Sequence, residues 1–555
     1  MSASSFAANG LWLASSLPGY IAWERAARNP RSAQRAVLAR ILARTAESDF
    51  GRRHGFGSIR TPEEFRARVP LCSYPDVEPD VSRIAAGESR VLTGEPVRRF
   101  GVSSGSTGAS KLIPYTESLV SEFRAGIDPW LFRLMANRPR LLVGSSYWSV
   151  TPVGERSRRS PGGIPIGFDD ERSYLGTIGR WAYGQTMACP PELALVGDSD
   201  VFRYTTLRFL LQDERLALVS VWSPTFLTLI LESLDRWVER LVRDIHDGTI
   251  SESLGLDEIS TLAVTRSLRR DPRRAKDLER DLASGSDRFR LVWPKLQLVS
   301  CWAHGSSAEP ARRLMSLLPG VEVQPKGLVA TEAFVSFPVS GEASALSLNS
   351  HYLEFEEAGS SGEALGAHEL SAGGKYSVVV TTGGGLYRYR LNDTVEILGF
   401  EKRCPLVRFA GRADKVVDLC GEKLNEAFVE RAVGLALASS GLRPTFWMVA
   451  PDTECHPPRY TLYLQFAGEQ PEAHTVRLLS DCVEEALAEA YHYGYCRRLG
   501  QLGPVRAFIV SPGRDASHVY LEACVAAGQR LGEIKPASLH PLGHWSRWFI
   551  GSLVP

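Results

Sequence analysis

The stretch Phe100-Gly101-Val102-Ser103-Ser104-Gly105-Ser106-Thr107-Gly108-Ala109-Ser110-Lys111-Leu112-Ile113-Pro114 decides the fold. Gly105 and Gly108 free the backbone to turn its N–H groups inward, hydroxyls crowd around them, and Lys111 closes the run, which is the composition of a phosphate cradle. A flexible Ser/Gly linker has a similar composition. Linkers rarely sit between an apolar lead-in (Phe100, Val102) and an Ile113-Pro114 exit with a single basic residue, so the cradle is the better reading. No G-x-x-x-x-G-K-[ST] frame fits, which argues against a P-loop kinase or GTPase.

Outward from this stretch the chain alternates. Upstream, Val37, Leu38, Ile41 and Leu42 recur at helical spacing, and Thr116 can cap a helix that starts at Glu117. Downstream, β-type runs at Leu141–Gly144, Leu216–Val221, Leu296–Cys301 and Val378–Thr382 alternate with helical segments at Pro224–Ile245 and Ala308–Leu318, the pattern of an α/β domain. After Gly421-Glu422-Lys423-Leu424-Asn425 come a helix near Glu426–Leu437, β-runs at Thr445–Ala450, Tyr460–Phe466 and Val505–Val510, and a helix through Leu478–Tyr491, a smaller α+β unit. The expected division is therefore a large α/β domain over residues 1–423 and a C-terminal lid over 424–555.

The 555 residues carry a formal charge of +1 and 23% charged residues, so no global field favours nucleic acid or an anionic membrane. No run approaches the ~18 uncharged apolar residues of a membrane span. The N-terminal MSASSFAANGLWLASSLPGY lacks a basic region ahead of its Leu and Trp residues and reads as a packed arm rather than a secretory signal. Nine cysteines with no CxxC spacing read as reduced thiols, and the expected location is cytoplasmic. The segment 155–163, ERSRRSPGG, reads as a flexible loop.

Two further motifs bear on chemistry. In Thr381-Thr382-Gly383-Gly384-Gly385-Leu386-Tyr387-Arg388-Tyr389-Arg390-Leu391-Asn392-Asp393, an extended strand would place Tyr387 and Tyr389 on one face, Arg388 and Arg390 on the other, and a carboxylate at its end. Asp393 suits a ribose diol; taken alone, a hairpin with an ordinary Asx turn accounts for it equally well. Phe409-Ala410-Gly411-Arg412-Ala413-Asp414-Lys415 offers the planar fork of Arg412 for phosphate or ribose oxygens, ahead of a Gly–polar run that suits a hinge. No G-x-S-x-G elbow accompanies His304, which argues against a nucleophile–His hydrolase.

The order SSGSTGASKLIP (103–114), LVATEAF (328–334), HYLEF (351–355), TTGGGLYRYRLND (381–393), FAGRADK (409–415) and GEKLNE (421–426) resembles the Gretchen Hagen family of acyl acid–amido synthetases, of a bacterial type, within the adenylate-forming superfamily. FGRRHGF (50–56), GIPIGFDD (163–170), VWSPTFL (221–227) and GEIKP (532–536) extend the likeness over nearly the whole chain. The resemblance implies that Ser103, Ser104, Ser106 and Thr107 hold the ATP phosphates, that Thr331 and Glu332 lie on the adenine and Mg²⁺ side with Glu332 as metal ligand, and that Tyr352 stacks near the adenine. It further implies that Asp393 holds the ribose, that Arg412 contacts ribose or phosphate, and that Lys423 and Lys535 are the two lysines near and beyond the hinge, Lys535 reaching the reacting carboxylate and α-phosphate. Asn392 stands where the family has Gly, and Asn tolerates positive φ better than most residues.

By resemblance the chain is an ATP- and Mg²⁺-dependent ligase that adenylates a small carboxylic acid and passes the acyl group to an amine such as an amino acid, with neither nucleic acid nor membrane as partner. Two rivals are transfer to a thiol, such as coenzyme A or a carrier pantetheine, and a nucleotide- or acid-binding protein without turnover. The acyl pocket has no sequence motif, and the oligomeric state is open.

Overall fold

The computed structural model describes residues 3–104, 110–149, 158–167, 175–196, 198–250, 264–285, 288–357, 363–412, 416–529 and 531–554. The chain divides into two compact units, Met1–Ala303 with Pro310–Phe409, and His304–Glu309 with Ala410–Pro555.

In the first unit, strands Ser145–Trp148, Leu216–Ser220, Leu298–Cys301 and Glu322–Pro325 form a parallel sheet in that order. Parallel neighbours need long crossovers, and helices such as Thr177–Thr186, Ser199–Gln212, Pro224–Glu232, Leu234–Asp247 and Pro272–Leu282 supply them. Leu216–Ser220 is buried at every residue, as expected of a strand covered on both faces. The β-run expected at Leu141–Gly144 is instead a 3₁₀ turn over Pro139–Val143, started by Pro139. The strand begins only after Gly144, where a Cβ would stand 2.3 Å from Ala217 Cβ. The single helix expected over Pro224–Ile245 is broken at Ser233, whose hydroxyl donates back to the Leu229 carbonyl at 2.7 Å.

A second sheet has seven strands, in the order Leu365–Gly366, Tyr352–Glu357, Lys375–Thr381, Tyr389–Glu401, Cys404–Arg412, Ala343–Leu346, Ser336–Ser340. A third pairs Ser110–Tyr115 with Arg99–Ser104, followed by Pro165–Ile166 and Arg158–Arg159. The N-terminal arm is the helix Ala3–Arg28, and it joins the main core through Trp12 and Trp23, which are buried with Phe123, Trp130, Phe334 and Phe337. Helix Pro30–Thr45 buries Val37, Leu38, Ile41 and Leu42, the positions its periodicity selects.

In the second unit, the short paired strands Val416–Val417 and Leu424–Asn425 lead into helix Glu426–Ser440, capped by Asn425, whose side chain accepts from Ala427 N at 2.9 Å. Strands Phe446–Asp452, Arg459–Gln465, Arg506–Val510 and Gly551–Leu553 form its sheet. The helix expected through Leu478–Tyr491 is two, Ala473–Ala488 and Tyr491–Arg498. Val429, Val433, Leu462, Leu464, Leu479 and Val483 form its core. The protein thus combines a large α/β N-terminal part with a smaller α+β C-terminal one. No helix among the described residues is long and apolar enough to cross a membrane.

Candidate nucleotide and acid site

The strands that flank the glycine-rich run pair antiparallel, with Ser103 opposite Lys111 and Ser104 opposite Ser110, so the run joins the two arms of a hairpin. Ser106 and Thr107 lie outside the described residues. The Lys111 ammonium stands 5.7 Å from the centre of the Tyr74 ring, and the Tyr74 hydroxyl accepts from Leu112 N at 2.8 Å. Burial, joined by the charges of Glu78 and Glu332, raises the Tyr74 phenol above its ordinary value. The exit arm also reaches the next motif directly: Tyr115 OH donates to the Thr331 carbonyl at 2.5 Å.

Thr331 and Glu332 occupy a tight turn closed by reciprocal backbone bonds between Ala330 and Ala333, at 2.9 and 3.3 Å. Glu332 is 7% exposed. Its carboxylate is a donor of the kind that a hard cation takes, and it follows the residue whose carbonyl Tyr115 holds. Among the described residues no group of three His, Cys, Asp or Glu side chains could hold a metal ion.

Tyr352 lies opposite Thr381 at the start of its strand. Its ring meets Phe65 edge-on at 6.0 Å, inside the apolar cluster that holds Tyr387, rather than on an open surface. Burial pushes its phenol well up.

The strand expected to end at Asp393 does not. Tyr389–Glu401 runs on past it, and Asp393 sits in a bulge instead. Between the pairs Ser377–Thr394 and Val379–Arg390, the residues Leu391, Asn392 and Asp393 face Val378 alone, and Asn392 has φ +62°. Such a bulge re-aims a side chain, and Asp393 is nearly buried there. The alternation expected across Tyr387–Arg390 also fails. Arg388 takes φ +48°, which sends Tyr387 into the cluster of Phe56 and Phe65 while Tyr389 joins the main core. The Arg388 guanidinium is turned inward, donating to Glu354 at 3.1 Å and to the Val69 carbonyl at 2.8 Å.

In the second unit Arg412 ends its strand, and its carbonyl accepts from Asn425 Nδ2 at 3.2 Å. Lys423 is exposed with φ +48°. The preceding Glu422 is buried and accepts from Leu419 N and Cys420 N, both at 2.7 Å, and from Tyr460 OH at 2.5 Å. Lys535 is exposed on a loop whose backbone is held by Tyr520 OH, donating to the Lys535 carbonyl at 2.8 Å, and by Glu426, accepting from Ser538 N at 3.1 Å. Both lysines thus project from pinned backbone.

One group had no sequence assignment. At the C-terminal ends of the parallel strands stand Trp148, Trp222, Trp302 and Lys326. The Lys326 ammonium donates to Ser220 Oγ at 2.8 Å and lies 4.8 Å from the Trp222 ring centre and 5.2 Å from that of Trp130. Trp222 and Trp302 are 5.8 Å apart, Trp130 and Trp148 5.5 Å. Three of the four strands have a Trp at or within two residues of their C-terminal end, a regularity readable in the sequence once the strands are known to be parallel.

Residues 21–323 match the GH3 family N-terminal domain, 344–412 its central domain and 427–540 its C-terminal domain. A probable indole-3-acetic acid-amido synthetase of Oryza sativa subsp. japonica is 29% identical over 536 residues, covering 88% of this chain and 83% of the rice protein. The jasmonoyl–L-amino acid synthetase JAR6 of Nicotiana attenuata is 25% identical, covering 90% of each chain. These relatives are plant proteins and give no support to a bacterial type. The solved structure of AtGH3.15 acyl acid amido synthetase in complex with 2,4-DB superposes with a TM-score of 0.82 at 21% identity, over 94% of this chain and 93% of that one. With the three family domains matched in order along it, the chain belongs to the GH3 family of acyl acid amido synthetases.

Proposed function

We propose that this amide-forming ligase binds ATP between the glycine-rich hairpin and the Thr331–Glu332 turn, adenylates a carboxylic acid there, and passes the acyl group to an amine, in our reading an amino acid. The observation that carries it is the bond from Tyr115 to Thr331, which joins the hairpin to the turn. A carboxylate is a poor electrophile because its charge is delocalised and oxide leaves badly; acyl-adenylate formation supplies a good leaving group. The need is positive charge and N–H donors where charge develops on the α-phosphate. Ser103, Ser104, Ser106 and Thr107 with their amides serve the phosphates, Asp393 the ribose and Arg412 ribose or phosphate. Tyr352 underlies the adenine side from within its cluster. Lys535 serves the carboxylate and α-phosphate, and Lys423 lies at the hinge, with the working boundary between the domains at 423/424.

Glu332 holds Mg²⁺ in this reading, and the ion supplies neutralisation of phosphate charge. The acid lies against Trp130, Trp148, Trp222 and Trp302 with Lys326 as its counter-charge, since ligands of open α/β sheets bind outside the carboxyl ends of the strands. Flat, electron-rich walls favour an aromatic acid. The nine cysteines are free thiols, which suits a reducing cytoplasm. The test is Glu332→Gln, in which acid-dependent pyrophosphate release is followed across a Mg²⁺ titration. The Mg²⁺ requirement rises sharply in the variant, whereas a titration that overlays the parent's removes Glu332 from the metal and undoes the reading.

A further inference from the structure

Three segments that carry candidate ATP ligands meet on two buried side chains, Glu122 on helix Glu117–Ala136 and His351 just before strand Tyr352–Glu357. Their side chains are 3% and 0% exposed. Phe334 N–H donates to His351 Nε2 at 2.9 Å, so that nitrogen carries the lone pair and the ring proton sits on Nδ1, where it is donated to Glu122 Oε2 at 2.9 Å. The same carboxylate accepts from Gly383 N, at 3.1 Å to Oε1 and 2.9 Å to Oε2. Only glycine permits this approach, because a Cβ at residue 383 would fall 2.6 Å from Glu122 Oε1. The Thr116 hydroxyl, which caps the helix, donates to the Gly383 carbonyl at 3.0 Å. Gln34 fixes the other side: its Nε2 donates to the His351 carbonyl at 2.9 Å, and its Oε1 accepts from Leu353 N at 2.7 Å.

Each bond ends beside a candidate site residue. Phe334 lies two residues after Glu332, His351 precedes Tyr352, and Gly383 belongs to the turn that leads to Asp393. A proton relay does not fit, since both ring nitrogens are engaged inside the protein. We propose that His351, oriented by Glu122, is a positioning residue: its Nε2 fixes the Phe334 amide and so holds the Thr331–Glu332 turn in register with the hairpin. It touches neither ATP nor acid. A buried amide left without its acceptor shifts to find another, and displacements near 1 Å at a reacting site cost on the order of 10²-fold.

This inference rests on the reading of Glu332 given above. Two variants separate its parts. Gln at 351 brings an amide oxygen to the place of Nε2 and keeps the bond from Phe334; Asn reaches only to the place of Nδ1 and keeps the bond to Glu122. His351→Asn lowers kcat for acid-dependent pyrophosphate release by about 10-fold to 10²-fold and weakens Mg²⁺-ATP binding in calorimetry, while ATP binding without Mg²⁺ stays near the parent's. His351→Gln restores most of both. Equal values for the two variants, or losses that only follow their thermal midpoints, overturn the proposal. If neither folds, Glu122→Gln is measured in the same way, and parental kcat with parental Mg²⁺-ATP affinity overturns it. Glu332→Gln keeps the two failures apart: an unmoved Mg²⁺ titration sinks the metal reading, whereas a moved one beside an unaffected His351→Asn sinks the positioning role alone.

Discussion

At Asp393 a backbone irregularity decides where a single side chain stands. Asn392 gives the chain one left-handed step at φ +62°, the three residues 391–393 stand against one on the neighbouring strand, and Asp393 is buried at the irregularity. Hydrogen bonds to a charged group contribute about 1.5–3 kcal/mol each, so Asp393→Ala weakens ATP by about tenfold or more. Calorimetry on the folded variant checks this, and an unchanged affinity takes Asp393 out of the site. Asn392 was legible in the sequence, because Asn is among the few residues that accept positive φ. Arg388 was not: nothing in its type announces φ +48°, which is sustained by its bonds to Glu354 and Val69 and by Thr381 Oγ1 accepting from its N–H at 2.9 Å. Those partners are far apart in the chain, and local pattern cannot see them.

Among the elements, helix Glu117–Ala136 ties together distant segments of the first unit. Thr116 caps it through a bond from Leu119 N at 3.1 Å, a start signal read correctly from the sequence. Its grip on Gly383 and His351 was invisible there, as was the Trp and Lys326 group, because both depend on which strands become neighbours. The helix also carries Asp128, packed against the N-terminal helix at Gly19. Burial raises its carboxyl to about 6, against a partial opposing pull from Arg124. The folded state therefore binds a proton that the unfolded chain has released, and stability falls as pH rises from about 4 through 6. Asp128→Asn removes that loss. Its thermal midpoint exceeds the parent's at pH 8, by a stabilisation on the order of 3 kcal/mol, and the two converge at pH 4; a constant difference across that range contradicts the assignment.

On the scale of the whole molecule, the candidate groups are shared between two units, with the hairpin, Glu332 and Asp393 in one and Arg412, Lys423 and Lys535 in the other. The boundary expected from the sequence, 423/424, keeps Arg412 and Lys423 with the hairpin and leaves Lys535 alone on the lid, whereas the compact units part at Phe409/Ala410, within the strand Cys404–Arg412, and residues 304–309 go with the second. If Lys535 serves the α-phosphate, Lys535→Ala costs on the order of 10²-fold in adenylation and leaves aminolysis of supplied acyl-adenylate nearly intact. Single-turnover assays of both half-reactions decide it, and equal losses in each refute the division of labour. Because Lys535 is exposed, the variant's thermal midpoint stays close to the parent's.

The most direct test of the central claim is mass spectrometry of the product formed from ATP, Mg²⁺ and a panel of aromatic carboxylic acids, with an amino-acid mixture and coenzyme A supplied together as competing acceptors. The account predicts acid-dependent release of pyrophosphate and a product with the mass of an acyl–amino acid amide. A thioester as the main product, or no pyrophosphate with any acid of the panel, contradicts it.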